Sequence, residues 1–144
     1  MIDTTILGPA AVLALWSLVI LAWMVVTRFA AFTKAGITLG TAPVGSRYAD
    51  VEGDMPMKVN WISHNYTHLM EQPTIFYAVV IILALLGDAT SVSVGFAWGY
   101  TVLRILHSLW QSLVNVIAVR VVLFTLSTVC VWVLAVRAVM QTVL

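Results

Sequence analysis

Charge is what this sequence has least of. Only 9% of its 144 residues are Asp, Glu, Lys or Arg, whereas a soluble domain carries about a quarter. Its seven basic and six acidic residues leave a formal charge of +1, and no clustered basic surface of the kind that phosphate contacts require, which excludes a nucleic-acid partner. Cysteine occurs once, at Cys130 in the apolar run TLSTVCVWVL. That rules out an intramolecular disulfide and reads as a lipid-facing thiol. The amino terminus, MIDTTILGPAAVLALW, lacks the positive segment that opens a signal peptide, and its apolar run continues to Val26. The expectation there is an uncleaved first span. Internal repeats and low-complexity segments are absent.

Apolar residues are abundant: 62% of the chain, with a mean hydropathy of +1.04. They come in four blocks, each near the roughly 20 residues that cross a bilayer. The expected fold class is therefore all-α, an integral membrane four-helix bundle forming a single domain over 1–144. Its spans are expected at about 6–29, 57–86, 93–116 and 119–143. Residues 30–56 form the one long loop, with Gly36, Gly40, Pro43, Gly45, Gly53, Pro56 and three acidic residues. Neither Gly nor Pro marks the boundary between the third and fourth spans. A continuous helix over 93–143 would be about 75 Å long, more than twice the hydrocarbon thickness. A break is therefore expected within Asn115 to Arg120.

Arg28, Lys34, Arg47 and Lys58 flank the long loop, and Arg120 falls at the next turn on the same side. The positive-inside rule then puts both loops in the cytoplasm and both termini on the non-cytoplasmic side. Arg137, near the end of the fourth span, is the exception; it is expected to snorkel to the far interface or to pair within an oligomer.

Two polar seams interrupt the apolar pattern. At 100° per residue, Asn60, His64, Thr67, His68 and Glu71 fall within about 100° of one another on span two. Arg104, His107, Ser108, Gln111 and Asn115 form a second stripe on span three. In lipid such seams must face protein or a water-filled cavity. Glu71 lies roughly 24 Å back from the turn at Gly87, and Arg104 lies roughly 20 Å forward from Ser91. Matching depth on antiparallel neighbours predicts a Glu71–Arg104 ion pair, with a cavity opening toward the cytoplasm. Pro73 frees the carbonyl of Leu69 and predicts a kink. Each group also has a purely architectural reading: ion pairs, histidines and amides commonly link membrane helices.

The segment His68-Leu69-Met70-Glu71-Gln72-Pro73, followed by Arg104-x-x-His107 and Arg120, resembles the MAPEG superfamily, the membrane-associated proteins in eicosanoid and glutathione metabolism. That superfamily includes microsomal glutathione transferases and microsomal prostaglandin E synthase. Length, four spans and a cytoplasmic first loop are similar over essentially the whole chain. The resemblance implies a homotrimer that binds glutathione between subunits and joins it to a lipophilic small molecule arriving from the bilayer. It implies Arg120 as the catalytic residue stabilising the thiolate. It implies Glu71, Arg104 and His107 as residues that bind glutathione, and His64, His68, Gln111 and Asn115, on or beside the same polar seams, are expected to complete the cofactor-binding set. The chain departs from the family pattern in four places. His64 replaces an arginine, His68 an asparagine, Gln111 a tyrosine, and Phe124 a tyrosine of the fourth span.

Three functions follow as expectations. The first is a glutathione- or other thiol-dependent transferase or peroxidase acting on a lipophilic electrophile, since a guanidinium beside a thiol of pKa about 8.5 favours the thiolate. The alternative is a non-catalytic protein of the same fold that binds a lipid or a membrane partner. A metal site built on His64, His68, Glu71 and His107 is the third, because those residues share a helical face or lie across from it.

Overall fold

A backbone amide in lipid finds no water to bond, so apolar runs of this length must close their hydrogen bonds within helices. The computed structural model describes residues 3–38, 40 and 42–144, and contains helices but no strand among them. They are α1 (Leu7–Ala35), α2 (Met57–Leu69), α3 (Gln72–Leu86), α4 (Ser91–Leu113) and α5 (Ile117–Val143). Two short 3-10 turns, Tyr48–Asp50 and Glu52–Asp54, shape the loop before α2. Three stretches are long and apolar enough to cross a membrane: Leu7–Ala35, Met57–Leu86 and Ile117–Val143. The fourth crossing, α4, has 23 residues and spans about 35 Å. Its hydropathy is lower because its inward face is polar. The protein is an integral membrane four-helix bundle.

Each helix turns one periodic stripe inward. Leu13, Ser17, Ile20, Met24 and Ala31 are buried on α1, and Ser127, Val131, Leu134 and Ala138 on α5, the spacing of a single helical face. Their opposite faces carry exposed Leu15, Leu18, Val26, Val129, Trp132 and Val136, the side chains that lipid solvates. Helix α4 inverts the soluble pattern. Ser93, Thr101, Arg104, His107, Ser108, Gln111 and Ser112 are buried, while Val102, Leu106 and Leu113 are exposed. It packs along α5 and against α1 and α2, and α3 packs on α5. Phe76 stacks on Tyr100 at 4.3 Å between ring centroids, closing the apolar half of the core.

The second crossing is broken rather than bent. Helix α2 ends at Leu69 and α3 begins at Gln72, with Glu71 between them at φ −89°, ψ −98°. Pro73 has no N–H to continue the helix, and its ring opposes the carbonyl four residues earlier. Thr74 restarts the turns, its hydroxyl donating to the Glu71 carbonyl at 2.6 Å.

Turns on the two sides of the bundle differ. Gly87 caps α3 at φ 73°, where a side chain would be strained, and the Thr90 hydroxyl accepts the Ser93 amide to start α4. At the other end the break falls at 114–116, with Asn115 left-handed at φ 58°. Arg120 therefore lies in the first turn of α5, its amide donating to the Val116 carbonyl, and not in the turn itself as the sequence suggested. Helix α1 continues one and a half turns past the expected limit of its span, to a left-handed Gly36.

Arg137 neither snorkels nor waits for a partner chain. Its Nε and Nη2 donate to Asp88 at 3.2 and 3.0 Å, and Gln141 Nε2 donates to the same oxygen at 2.6 Å. Thr90 and Ser93 hydroxyls donate as well. Burial pushes the Asp88 carboxyl up, but the hydrogen bonds from Gln141, Thr90 and Ser93 outweigh it and hold the group well below the ordinary carboxylate range. This cluster clamps the α3–α4 turn to the end of α5.

Candidate functional site

Arg104 is the largest fully buried side chain, 1% exposed. An unpaired guanidinium at that depth is expensive, so its partners define the site. They are not the expected ones. Among the described residues Arg104 and Glu71 form no ion pair; His68 stands between them. Arg104 Nη2 donates to the His68 carbonyl at 2.9 Å, and Nη1 approaches His68 Nε2 at 3.3 Å. His68 Nδ1 meets Glu71 Oε2 at 2.9 Å. This geometry assigns the proton to Nδ1 and leaves Nε2 as the acceptor facing arginine. Depth arithmetic placed the two charges at one level, but the break after Leu69 leaves the Glu71 side chain 62% exposed. The contact is relayed through imidazole.

Around that relay the rings converge. His68 lies 5.0 Å from His107 and 5.3 Å from Phe124, and Arg104 lies 5.7 Å from the Phe124 ring, all between centroids or from the guanidinium carbon. His107 Nε2 pairs with Gln111 Oε1 at 3.1 Å, which commits that nitrogen as donor and leaves Nδ1 as a buried lone pair with no partner. Arg104 Nε and Arg120 Nε are likewise buried and unpartnered. Arg120 sits one turn before Phe124 on α5, and its Nη1 donates to Asn115 Oδ1 at 2.9 Å. Asn115 is thus not part of the α4 stripe. It turns the chain and orients the arginine.

The α2 seam is only partly inward, which corrects the expectation of two rows facing each other. His64, Thr67 and Glu71 are exposed on the surface of the chain. The buried polar residues of α2 are Ser63 and Asn65, neither of which belongs to the expected row. Asn65 Nδ2 donates to Ser108 at 2.7 Å and Ser112 at 2.9 Å, and Trp16 of α1 donates to the same Ser108 at 3.0 Å. Asn65 thus ties three helices together. Asn60 faces the loop, accepting from Tyr48 Oη at 2.7 Å and donating to the Glu52 carbonyl at 3.0 Å. His64 pairs with the Glu52 carboxylate. With His64 held there, the four-residue metal set does not assemble, and no cluster of three or more His, Cys, Asp or Glu ligands occurs among the described residues.

Beside the break, Gln72 links α3, α4 and α5: its Nε2 donates to Thr128 at 2.9 Å and its Oε1 accepts from Tyr100 at 3.3 Å. Gln72 and Thr128 form the polar end of an open groove of about 290 Å³, lined otherwise by Ile75, Val131, Trp132 and Ala135. The groove faces outward, where lipid lies. No sequence signal short of the folded arrangement joins residues so far apart in the chain.

A model described as MAPEG family matches residues 6–140. Among curated proteins none matches significantly, and none does among solved structures. Because the matched segment takes in all four crossings and the whole histidine–arginine cluster, the chain belongs to the MAPEG family, membrane proteins of eicosanoid and glutathione metabolism.

Proposed function

We propose that this protein is a glutathione-dependent transferase or peroxidase acting on a lipophilic electrophile, with Arg120 as the catalytic residue. The observation that carries the reading is the set of buried nitrogens with no partner, Arg104 Nε, His107 Nδ1 and Arg120 Nε, around one aromatic cluster. Open guanidinium N–H donors suit an anionic group on a ligand, and the open imidazole lone pair suits a hydrogen-bond donor on the same ligand. Glutathione, when bound, supplies the nucleophilic thiol. Arg120, held by Asn115, puts a fixed positive charge beside it and favours its thiolate form. Arg104 is locked by the His68 carbonyl and orients the cofactor together with His68, His107, Gln111 and Glu71. The apolar groove at Gln72 and Thr128 gives a bilayer-borne partner an approach from the lipid side.

The outward polar row of His64, Thr67 and Glu71 supports assembly as a homotrimer. Such a row facing acyl chains is costly, and a neighbouring subunit would cover it. The basic residues around the long loop and Arg120 support a cavity mouth and both loops on the cytoplasmic side, with both termini on the other. The test is turnover by the purified protein. Conjugation of glutathione to a chlorodinitrobenzene, or glutathione-dependent reduction of a lipid hydroperoxide, is expected, with at least a tenfold loss in Arg120→Ala. Activity that survives this substitution, or never appears with either substrate, refutes the catalytic role.

The groove also favours a second reading, a non-catalytic protein that binds a lipid there. It predicts saturable binding of a fluorescent fatty acid that Arg120→Ala leaves intact and Trp132→Ala weakens.

A further inference from the structure

The loop between α1 and α2 lies across α2 as a strap. Its backbone is fixed at several points: Tyr48 Oη on Asn60, Asn60 Nδ2 on the Glu52 carbonyl, the Arg28 guanidinium 3.7 Å over the Tyr48 ring, and a buried Met55. Arg28 also donates to Ser63 of α2. Burial raises the Tyr48 hydroxyl pKa, against the opposing effect of Arg28, so the phenol stays a proton donor to Asn60. The Glu52 side chain differs from this fixed backbone. Its carboxylate has one side-chain partner among the described residues, His64, and both ends of that contact are open to solvent, 30% and 54% exposed.

We infer that the Glu52 carboxylate is a resident stand-in for a ligand carboxylate at His64, displaced when glutathione binds, so that Glu52 determines which thiols are accepted. This rests on the thiol-cofactor reading above. His64 and Thr67 are exposed on α2, and Glu71, exposed at the relay, follows just past the end of that helix. A cofactor that places its thiol at the buried cluster and carries a carboxylate some distance away meets His64 along this stretch. The exchange is like for like: one solvent-exposed histidine–carboxylate contact is broken and an equivalent one formed. Only the Glu52 side chain must swing out, because Asn60 keeps hold of its carbonyl. A thiol without the carboxylate has nothing to offer His64, and Glu52 stays in place.

The experiment is calorimetric binding of reduced glutathione to the full-length protein in detergent, comparing wild type with Glu52→Gln, His64→Ala and the double variant. His64 is exposed and Glu52 only half-buried, so the variants are expected to fold, which a melting curve checks. Glu52→Gln is expected to tighten binding about two- to fivefold, the range of an exposed ion pair. His64→Ala is expected to weaken it, and in that background Glu52→Gln changes nothing. Glutathione blocked as its diester is expected to show no gain from Glu52→Gln. Unchanged or weaker binding by Glu52→Gln, with wild type binding normally, overturns the displacement and leaves the cofactor reading standing. Absence of saturable binding in wild type and every variant overturns both.

Discussion

Replacing Asp88 by Asn removes the anion from the clamp that joins the α3–α4 turn to the end of α5. One carboxylate oxygen accepts from Arg137 Nε and Nη2, Ser93 Oγ and Gln141 Nε2, and the other accepts from Thr90 N and Oγ1. An amide keeps the shape but cannot satisfy this many donors, and it leaves the guanidinium unpaired. Breaking one side of a buried pair costs about 3–5 kcal/mol. Arg137 is 30% exposed, so water recovers part of that, and about 2–3 kcal/mol is the working figure. For a chain of this size that corresponds to a fall in Tm of about 4–12 °C. The assay is a thermal melt of the detergent-solubilised protein by tryptophan fluorescence, repeated with Arg137→Met and the double variant. The two single losses are expected to overlap, because they remove the same contact. Since the folded carboxyl is held below its ordinary value, its contribution is full at neutral pH. It drains away only as pH falls below the ordinary carboxylate range toward the depressed value. A melting point for Asp88→Asn within about 1 °C of wild type, or fully additive single losses, would refute the clamp.

Three further substitutions separate architecture from chemistry. Asn115→Gly keeps the left-handed turn at φ 58° but removes the Arg120 anchor; turnover is expected to fall about tenfold, the effect of losing roughly 1.4 kcal/mol of orientation, with Tm unchanged. Asn65→Leu leaves Ser108 and Ser112 without their shared donor and is expected to destabilise by about 1–3 kcal/mol, read as a lower melting point. Gly87→Ala places a side chain at φ 73° and is expected to cost about 1 kcal/mol in the same melt, with turnover intact.

Much of the bundle was legible because lipid enforces simple rules. The stripes of α1 and α5 follow one helical period, and the inverted pattern of α4 identifies its inner face directly from Arg104, His107, Ser108 and Gln111. Pro73 announced a disturbance, but not that the helix would stop outright and leave Glu71 between two segments. That interruption is why the angular count along span two stops at Leu69 and misplaces Glu71. Counting residues gives depth, whereas the direction of a side chain depends on an unbroken helix. His64 and Thr67, on the unbroken α2, point outward because the buried face of that helix runs through Ile62, Asn65 and Leu69, and His68 alone of the row reaches Arg104. Asn65 was overlooked because it lies about 100° from His64, outside the counted row. Arg137 was misjudged for another reason: Asp88 is 49 residues away in sequence, and only the packing of α3 and α4 on α5 brings them together.

The central claim is that Arg120 and the buried cluster beside it hold a glutathione thiolate, and the ultraviolet absorbance of that thiolate tests it most directly. Titrating glutathione-saturated protein across pH, the bound thiol is expected to ionise well below its ordinary value of about 8.5, with Arg120→Ala restoring the ordinary value. A bound thiol that ionises as it does in free solution, or one whose ionisation is indifferent to Arg120, contradicts the account.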